Sequence, residues 1–167
     1  LKGSQELSAM LRERTIGKYY LAVVSGTLTK AERQKGYLVK DAKSNRVQIA
    51  ATADQPDAKP IETAYSPLCS ASGTTLLKVH LITGKTHQIR AHLASIGHPI
   101  AGDYKYGNRS FNDVLKKEYG LRSQLLHAYR LEFPENCEGD IKQLSGKIIK
   151  APVPALFEQI CKAQGVM

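Results

Sequence analysis

From Thr83 to Leu93 the chain reads Thr-Gly-Lys-Thr-His-Gln-Ile-Arg-Ala-His-Leu; it continues through Ile96-Gly97-His98-Pro99-Ile100-Ala101-Gly102-Asp103 to Tyr106-Gly107. No other stretch limits the fold as tightly. The preceding residues, Thr74 to Ile82, predict a strand: Leu77, Val79 and Leu81 alternate with Lys78, His80 and Ile82, giving one apolar and one mostly polar face. Thr83-Gly84 then turns the chain, with glycine supplying the backbone freedom. Thr86 is placed to cap a helix running from His87 to Ile96, and Gly97-His98-Pro99 breaks it. A strand end is thereby followed by a helix N-terminus, with Lys85 and His87 beside its free N–H groups. Such a place suits a phosphate or a carboxylate.

Helical spacing puts Ile89, Leu93 and Ile96 on one face, as core. His87, Arg90, Ala91 and Ala94 point away from it. Arg90, among small alanines, has two readings: a structural pair with a carboxylate, or a cation offered to a partner group. Asp103 reads as a turn residue able to orient a basic group. His87 and His92 are five residues apart, not the four that place two metal ligands on one helix face, and His80, His98 and His127 are scattered, so no metal site is expected. His92 reads as a hydrogen-bonded packing residue.

The rest of the chain is rich in strands. Lys18 to Gly26 is a nearly continuous apolar run and predicts a central strand covered on both faces. Tyr37 to Lys40 and Arg46 to Ala50 flank Ser44-Asn45 as a hairpin. Asp54 to Lys59 is a loop, and Ala64 to Ser70 a strand joined by Ser72-Gly73 to the strand at Thr74. Leu125 to Phe133 and Lys147 to Ala151 are further strands. Helices are predicted at Gln5 to Arg14, capped by Ser4 and closed by Gly17, at Asn112 to Tyr119, and at Pro154 to Ala163. Strands in runs with a few helices predict an α+β fold, with a mixed, largely antiparallel sheet and flanking helices.

The chain has 167 residues, consistent with one domain over 1–167. Its 24 Lys+Arg against 15 Asp+Glu leave a formal charge of +9, spread from Lys2 to Lys162, which favours an anionic partner such as nucleic acid. No apolar run is long enough to span a bilayer, and the mixed, charged segment Leu1 to Arg14 is unlike a secretory leader. Cys69, Cys137 and Cys161 form no CxxC pair, which argues against zinc or a disulfide framework. A cytoplasmic location with reduced thiols is the expectation.

The Thr83–Gly107 run resembles a signature of the RluA-type RNA pseudouridine synthases: Thr-Gly-Arg-Thr-His-Gln-Ile-Arg-Val-His followed by Gly-His-Pro-Ile-x-Gly-Asp-x-x-Tyr-Gly. Lys85 stands in the Arg position and Ala91 in the Val position. Lys18 to Gly26 is similar to the family's Lys-x-Tyr-x-Ala strand, and Leu126-His127-Ala128 with Leu131-Glu132-Phe133 to its Leu-His-Ala strand. Lys147 to Pro152 fits as well. The resemblance implies the pseudouridine synthase catalytic fold and conversion of uridine to pseudouridine in ribosomal or transfer RNA, without a metal or organic cofactor. It implies that Arg90 pairs with the catalytic aspartate and that Tyr20 packs on the target base. Lys18, Lys85, Thr86, His87 and Gln88 become candidates for RNA contact; for Lys85, His87 and Gln88 a structural role stands equally open.

The family's nucleophile lies in a His-Arg-Leu-Asp-x-x-(Thr/Ser)-Gly motif that does not occur here. The expectation is an N-terminally truncated catalytic domain, inactive alone, with Arg90 left without a carboxylate and an open sheet edge prone to self-association. The alternative is a non-catalytic RNA-binding module of the same fold.

Overall fold

The computed structural model describes residues 2–12, 15–85 and 87–167, with the side chains of 11 and 12 left aside. Thr86, the expected helix cap, and the expected helix end at Arg14 lie outside the described residues. The elements are α1 (Lys2–Arg12), β1 (Gly17–Ser25), β2 (Glu32–Asp41), β3 (Arg46–Ala50), β4 (Lys59–Ala71), β5 (Thr74–Leu81), α2 (Gln88–Ser95), α3 (Arg109–Tyr119), β6 (Leu126–Glu132), a 3-10 turn (Gly139–Leu144), β7 (Ile148–Lys150) and α4 (Ala155–Gln164).

The seven strands form one sheet in the order β3-β2-β4-β5-β1-β6-β7, and every named pairing is antiparallel. The β4–β5 hairpin turns at Ser72 and Gly73, both at positive φ (53° and 73°), the pattern of a tight two-residue turn whose twist suits a hairpin. As its apolar run predicts, β1 is buried on both faces. Leu21 and Val23 face Leu115, Leu121, Phe157 and Ile160 on the side of α3 and α4. Ala22 and Val24 face Leu77, Val79, Ile89 and Leu93 on the side of α2. Between β1 and β6 the register slips at Tyr19/Tyr20: Tyr19 lies opposite Arg130 and Tyr20 opposite Ala128. This bulge bends the sheet beside the end of β1, where such irregularities often serve a site.

Three expectations need correction. Ser4 lies inside α1 instead of capping it, and Gly17 opens β1 instead of closing the helix. The N–H and hydroxyl of Thr15 both donate to the Met10 carbonyl (3.1 and 3.0 Å). Ala91 does not point away from the core: it is 5% exposed and packs with Leu38, Val47 and Ile61. The sheet reaches round α2 so that β2, β3 and β4 meet its second flank, an arrangement that helix periodicity alone does not encode. Finally, β2 and β4 both start well before their predicted limits, because their polar first halves pair with each other, Glu32 to Leu38 against Tyr65 to Lys59.

Candidate active site

On the α2 side of the sheet, a cleft of about 310 Å³ opens where β1, β5 and β6 meet the start of α2. That volume suits a single nucleoside. Tyr20, Leu81, Ile89 and Leu126 supply apolar and aromatic surface, and Lys85, His87, Arg90 and Gln124 polar groups, with the edge of Gln88 beneath. Tyr20 follows from strand alternation: it points to the same face as Ala22 and Val24.

One flank is closed by Arg90 and Asp103. Arg90 donates from Nε to Asp103 Oδ2 (2.8 Å) and from Nη2 to Oδ1 (3.0 Å), a bidentate pair. The backbone N–H groups of Lys105 and Tyr106 also donate to Oδ1, each at 3.0 Å. Asp103 is 1% exposed. Burial pushes its carboxyl up, but the hydrogen bonds from Arg90 and from the Tyr106 and Lys105 amides outweigh it and hold the group below its ordinary value. The hydrogen bond to Asp103 pushes the Arg90 guanidinium up in turn. The expectation that Arg90 lacks a carboxylate is therefore wrong: Asp103, thirteen residues on, supplies one. Its turn placement comes from Asn112, which is fully buried and clamps the loop by donating to the Asp103 carbonyl (2.8 Å) and accepting from Gly102 N–H (2.7 Å). Gly102, at φ +82°, lies so close to the Ser123 carbonyl that a Cβ would sit 2.2 Å from it.

Tyr106 completes this flank. Arg90 and Arg46 lie over its ring at 5.2 and 5.3 Å. Its hydroxyl accepts from the Val47 N–H (3.1 Å) and shares a hydrogen bond with His87 Nδ1 (3.0 Å). Burial first, then the charges of Arg90 and Lys105, hold His87 below its ordinary value, which favours the neutral ring. His87 adopts the left-handed conformation (φ 58°) as the N-cap of α2, with no side-chain cap bond. A non-glycine residue held there signals a backbone fixed by its surroundings.

The floor is a polar network. Gln88, 1% exposed, donates to the Glu62 carbonyl and Thr63 Oγ1 (both 3.0 Å) and accepts from Thr83 Oγ1 (2.7 Å) and Lys85 N–H (3.1 Å). All four hydrogen-bonding positions of its carboxamide are used. Of the two roles left open for Gln88, these bonds are those of a brace that fixes the strand-to-helix turn. Thr63 also bonds His92 Nδ1 (2.9 Å), and burial holds that ring below its ordinary value.

The remaining side is open. The Tyr20 ring is partly buried, and burial pushes its phenol up, keeping it protonated. Among the described residues no partner holds its hydroxyl, and no carboxylate pairs with the Lys85 ammonium. Lys18 does not line the cleft, but its Nζ lies at the adjacent turn, where a Cβ on Gly84 would come within 2.9 Å. Of the seven sequence candidates, Tyr20, Lys85, His87, Gln88 and Arg90 meet at the cleft, Lys18 stands beside it, and Thr86 is outside the described residues. Gln124 and Leu126 also line it; Gln124 carries no sequence signal, being a loop residue delivered by the fold. Asp103 and Tyr106 stand in the motif: Asp103 reads there as a turn residue able to orient a basic group, and Tyr106 has no reading of its own. None of the lining residues is a carboxylate. Among the described residues no group of three or more His, Cys, Asp or Glu could hold a metal, and no helix is long and apolar enough to cross a membrane.

The arrangement can hold a planar base against Tyr20 and the leucines, meet a phosphate with Lys85, and present a fixed guanidinium. A family model described as RNA pseudouridylate synthase matches residues 1–95. The ribosomal large subunit pseudouridine synthase C of Vibrio cholerae is 35% identical over 156 residues, 93% of this chain and 46% of that protein. The ribosomal large subunit pseudouridine synthase D of Nitrosomonas europaea is 40% identical over 139 residues, 81% of this chain and 39% of that one. The chain thus spans less than half the length of these relatives. In fold, it superposes on the human RNA pseudouridylate synthase domain containing 4 protein with a TM-score of 0.75 at 21% identity, covering 98% of this chain and 68% of the other. The matched segment, the relatives over most of the chain and the shared sheet have one meaning: the chain belongs to the RluA-type RNA pseudouridine synthase family.

Proposed function

We propose that this chain supplies the base-binding and cationic part of a site that converts uridine to pseudouridine in RNA of the large ribosomal subunit, in the cytoplasm. The observation that carries this is the joining of Tyr20, Lys85 and Arg90 at one nucleoside-sized cleft. The target uridine leaves its stack to enter it. Tyr20 packs on the base and its hydroxyl meets a base edge. Lys85 and His87 meet the flanking backbone. Arg90, with Nε and Nη2 held by Asp103, keeps Nη1 for the reacting carboxylate. The relatives' names supply the choice of RNA over the transfer RNA also used in the family.

The chain alone does not isomerise uridine. Asp103 is no substitute nucleophile, because it is buried and accepts four hydrogen bonds. The lack of a carboxylate in the cleft lining also supports a second reading, a non-catalytic RNA-binding module. An in-frame His-Arg-Leu-Asp motif encoded upstream of Leu1 selects the first, and a degenerate one the second. Association through a sheet edge is also proposed: β7 has no outer neighbour among the described strands and exposes Ile148 and Ile149 (51% and 46%), a surface sedimentation across a concentration series would show to self-associate.

The direct test combines RNA binding with base analysis. The chain should bind a large-subunit ribosomal RNA fragment yet yield no pseudouridine by mass spectrometry. Tyr20→Ala should weaken binding by about 1–3 kcal/mol, the usual worth of a stacked base. Base conversion by the pure chain would overturn its incompleteness; unchanged binding by Tyr20→Ala would overturn the pocket assignment.

A further inference from the structure

The face of the sheet opposite the cleft is divided in two. One half is apolar and covered by α3 and α4 through Leu21, Val23 and Leu76. Along the same strands the other half turns polar. Tyr19, His80, Lys78 and Arg130 all project there, because each alternates with a residue of the cleft side or lies opposite Tyr19 in register. The rings of Tyr19 and His80 stack at 4.5 Å and 18°. Lys78 and Arg130 lie over Tyr19 at 5.0 and 5.7 Å. Arg33 joins the group from β2, opposite Ala64, whose other neighbour is His80.

Three features mark this half-face as more than solvated surface. The cations crowd one another: burial pushes His80 below its ordinary value, and the charges of Arg33, Lys78 and Lys18 push it further down, against only Glu132 in the other direction. The buried Arg130 Nε has no hydrogen-bond partner among the described residues, an unmet donor within the group. The acids present, Glu62 and Glu132, sit at the two sides and already pair with Arg33 and Arg130. A surface where cations outnumber acids over stacked rings fits a polyanion with planar bases.

We propose that this half-face binds a second, single-stranded segment of the same RNA, away from the target uridine. Lys18 lies at the strand end between the two faces: its Nζ is at Gly84 on the cleft rim and its charge is felt by His80 behind it. RNA leaving the cleft passes round this end of β1 and β5, its phosphates meeting Lys78, Arg33 and Arg130. The proposal rests on the chain acting on RNA, as argued above.

The test uses two probes, a uridine trinucleotide that fills the cleft alone and an oligouridylate long enough to pass round the strand end. Arg33→Gln with Lys78→Gln changes exposed or half-exposed cations and should leave the urea midpoint nearly unchanged. It should make the salt dependence of long-probe binding shallower by about 1.4 in log–log slope, from about 0.7 for each phosphate contact on a single strand. Trinucleotide binding should not change, whereas Lys85→Gln should weaken both probes. In the unmodified chain, ultraviolet crosslinking of the long probe should label Tyr19 or His80. An unchanged long-probe slope, with crosslinks confined to the cleft, overturns the second site and leaves the cleft assignment standing. Failure to bind either probe overturns both. Polyglutamate displacing the long probe from the half-face without affecting the cleft would make the partner an acidic protein and overturn RNA as the occupant.

Discussion

On one flank of the cleft, Asp103 accepts four hydrogen bonds, Asn112 clamps its loop, and Tyr106 locks His87. On the other, the Tyr20 hydroxyl and the Lys85 ammonium have no partner among the described residues. Both flanks carry polar groups. Their difference shows how a site divides labour: saturated groups hold geometry, and unsaturated groups at the rim remain for the ligand. A polar group buried with all its bonds made is rigid; a polar group left over near a cavity is available.

The contrast breaks most severely at Asp103. Asp103→Ala leaves Arg90 partly buried without its carboxylate and should cost about 3–5 kcal/mol in urea unfolding, as removal of one partner from a buried pair does. A loss as small as that of a surface substitution would move Asp103 out of the holding flank. Gln88→Leu comes next. It strips bonds from Thr63, Thr83, the Glu62 carbonyl and the Lys85 amide, and should cost about 2–3 kcal/mol. Because Gln88 is assigned as a brace, RNA binding by the still-folded fraction should stay close to that of the parent; a selective binding loss at full stability would return Gln88 to the contact set.

The holding flank should also show in pH dependence. His92 and His87 have values held below the ordinary one, so the unfolded chain takes up protons at a higher pH than the folded chain does. Their contribution is complete above about pH 6.5 and is lost as pH falls through the lowered folded values, at up to about 1.4 kcal/mol per pH unit for each group. Asp103, also lowered, adds a loss of the same sign that begins only near the carboxylate range, about pH 4. Urea titrations of the parent and of His92→Asn from pH 7.5 to 5.5 should show a shallower decline in the variant; parallel curves would place no proton-linked stability at His92. The smallest effect belongs to the open flank. Lys85→Gln should leave the urea midpoint unchanged and reduce the salt slope of short-RNA binding by about 0.7, one phosphate contact. A stability loss there with no change in slope would show Lys85 to be part of the scaffold.

Much of this molecule is legible before any fold is known. The apolar run Lys18 to Gly26 encodes a strand buried on both faces, and β1 is one, because period-two alternation with apolar residues at nearly every position admits little else. The Ile89/Leu93/Ile96 face of α2 follows from helical period, and its packing under β1 and β5 agrees. The same motif that reveals the family also names Arg90, Lys85 and His87 as polar residues at one strand-to-helix turn. What period cannot reveal is the far side of each element. Ala91 is core only because β2 and β3 curl over α2. Gln88 is a brace only because Glu62 and Thr63, some twenty-five residues earlier, run beneath it.

The sequence by itself determined the order of strands and helices, the two-faced β1, the basic charge and the family motif, since these rest on local spacing and composition. Only the tertiary structure decided that Arg90 has Asp103 as its carboxylate, that Gln88 faces inward, that Gln124 reaches the cleft, and that Tyr19, His80, Lys78 and Arg130 stand together on the opposite face. Each of those depends on which distant strand lies alongside and in what register, and in an antiparallel sheet a one-residue shift exchanges the two faces.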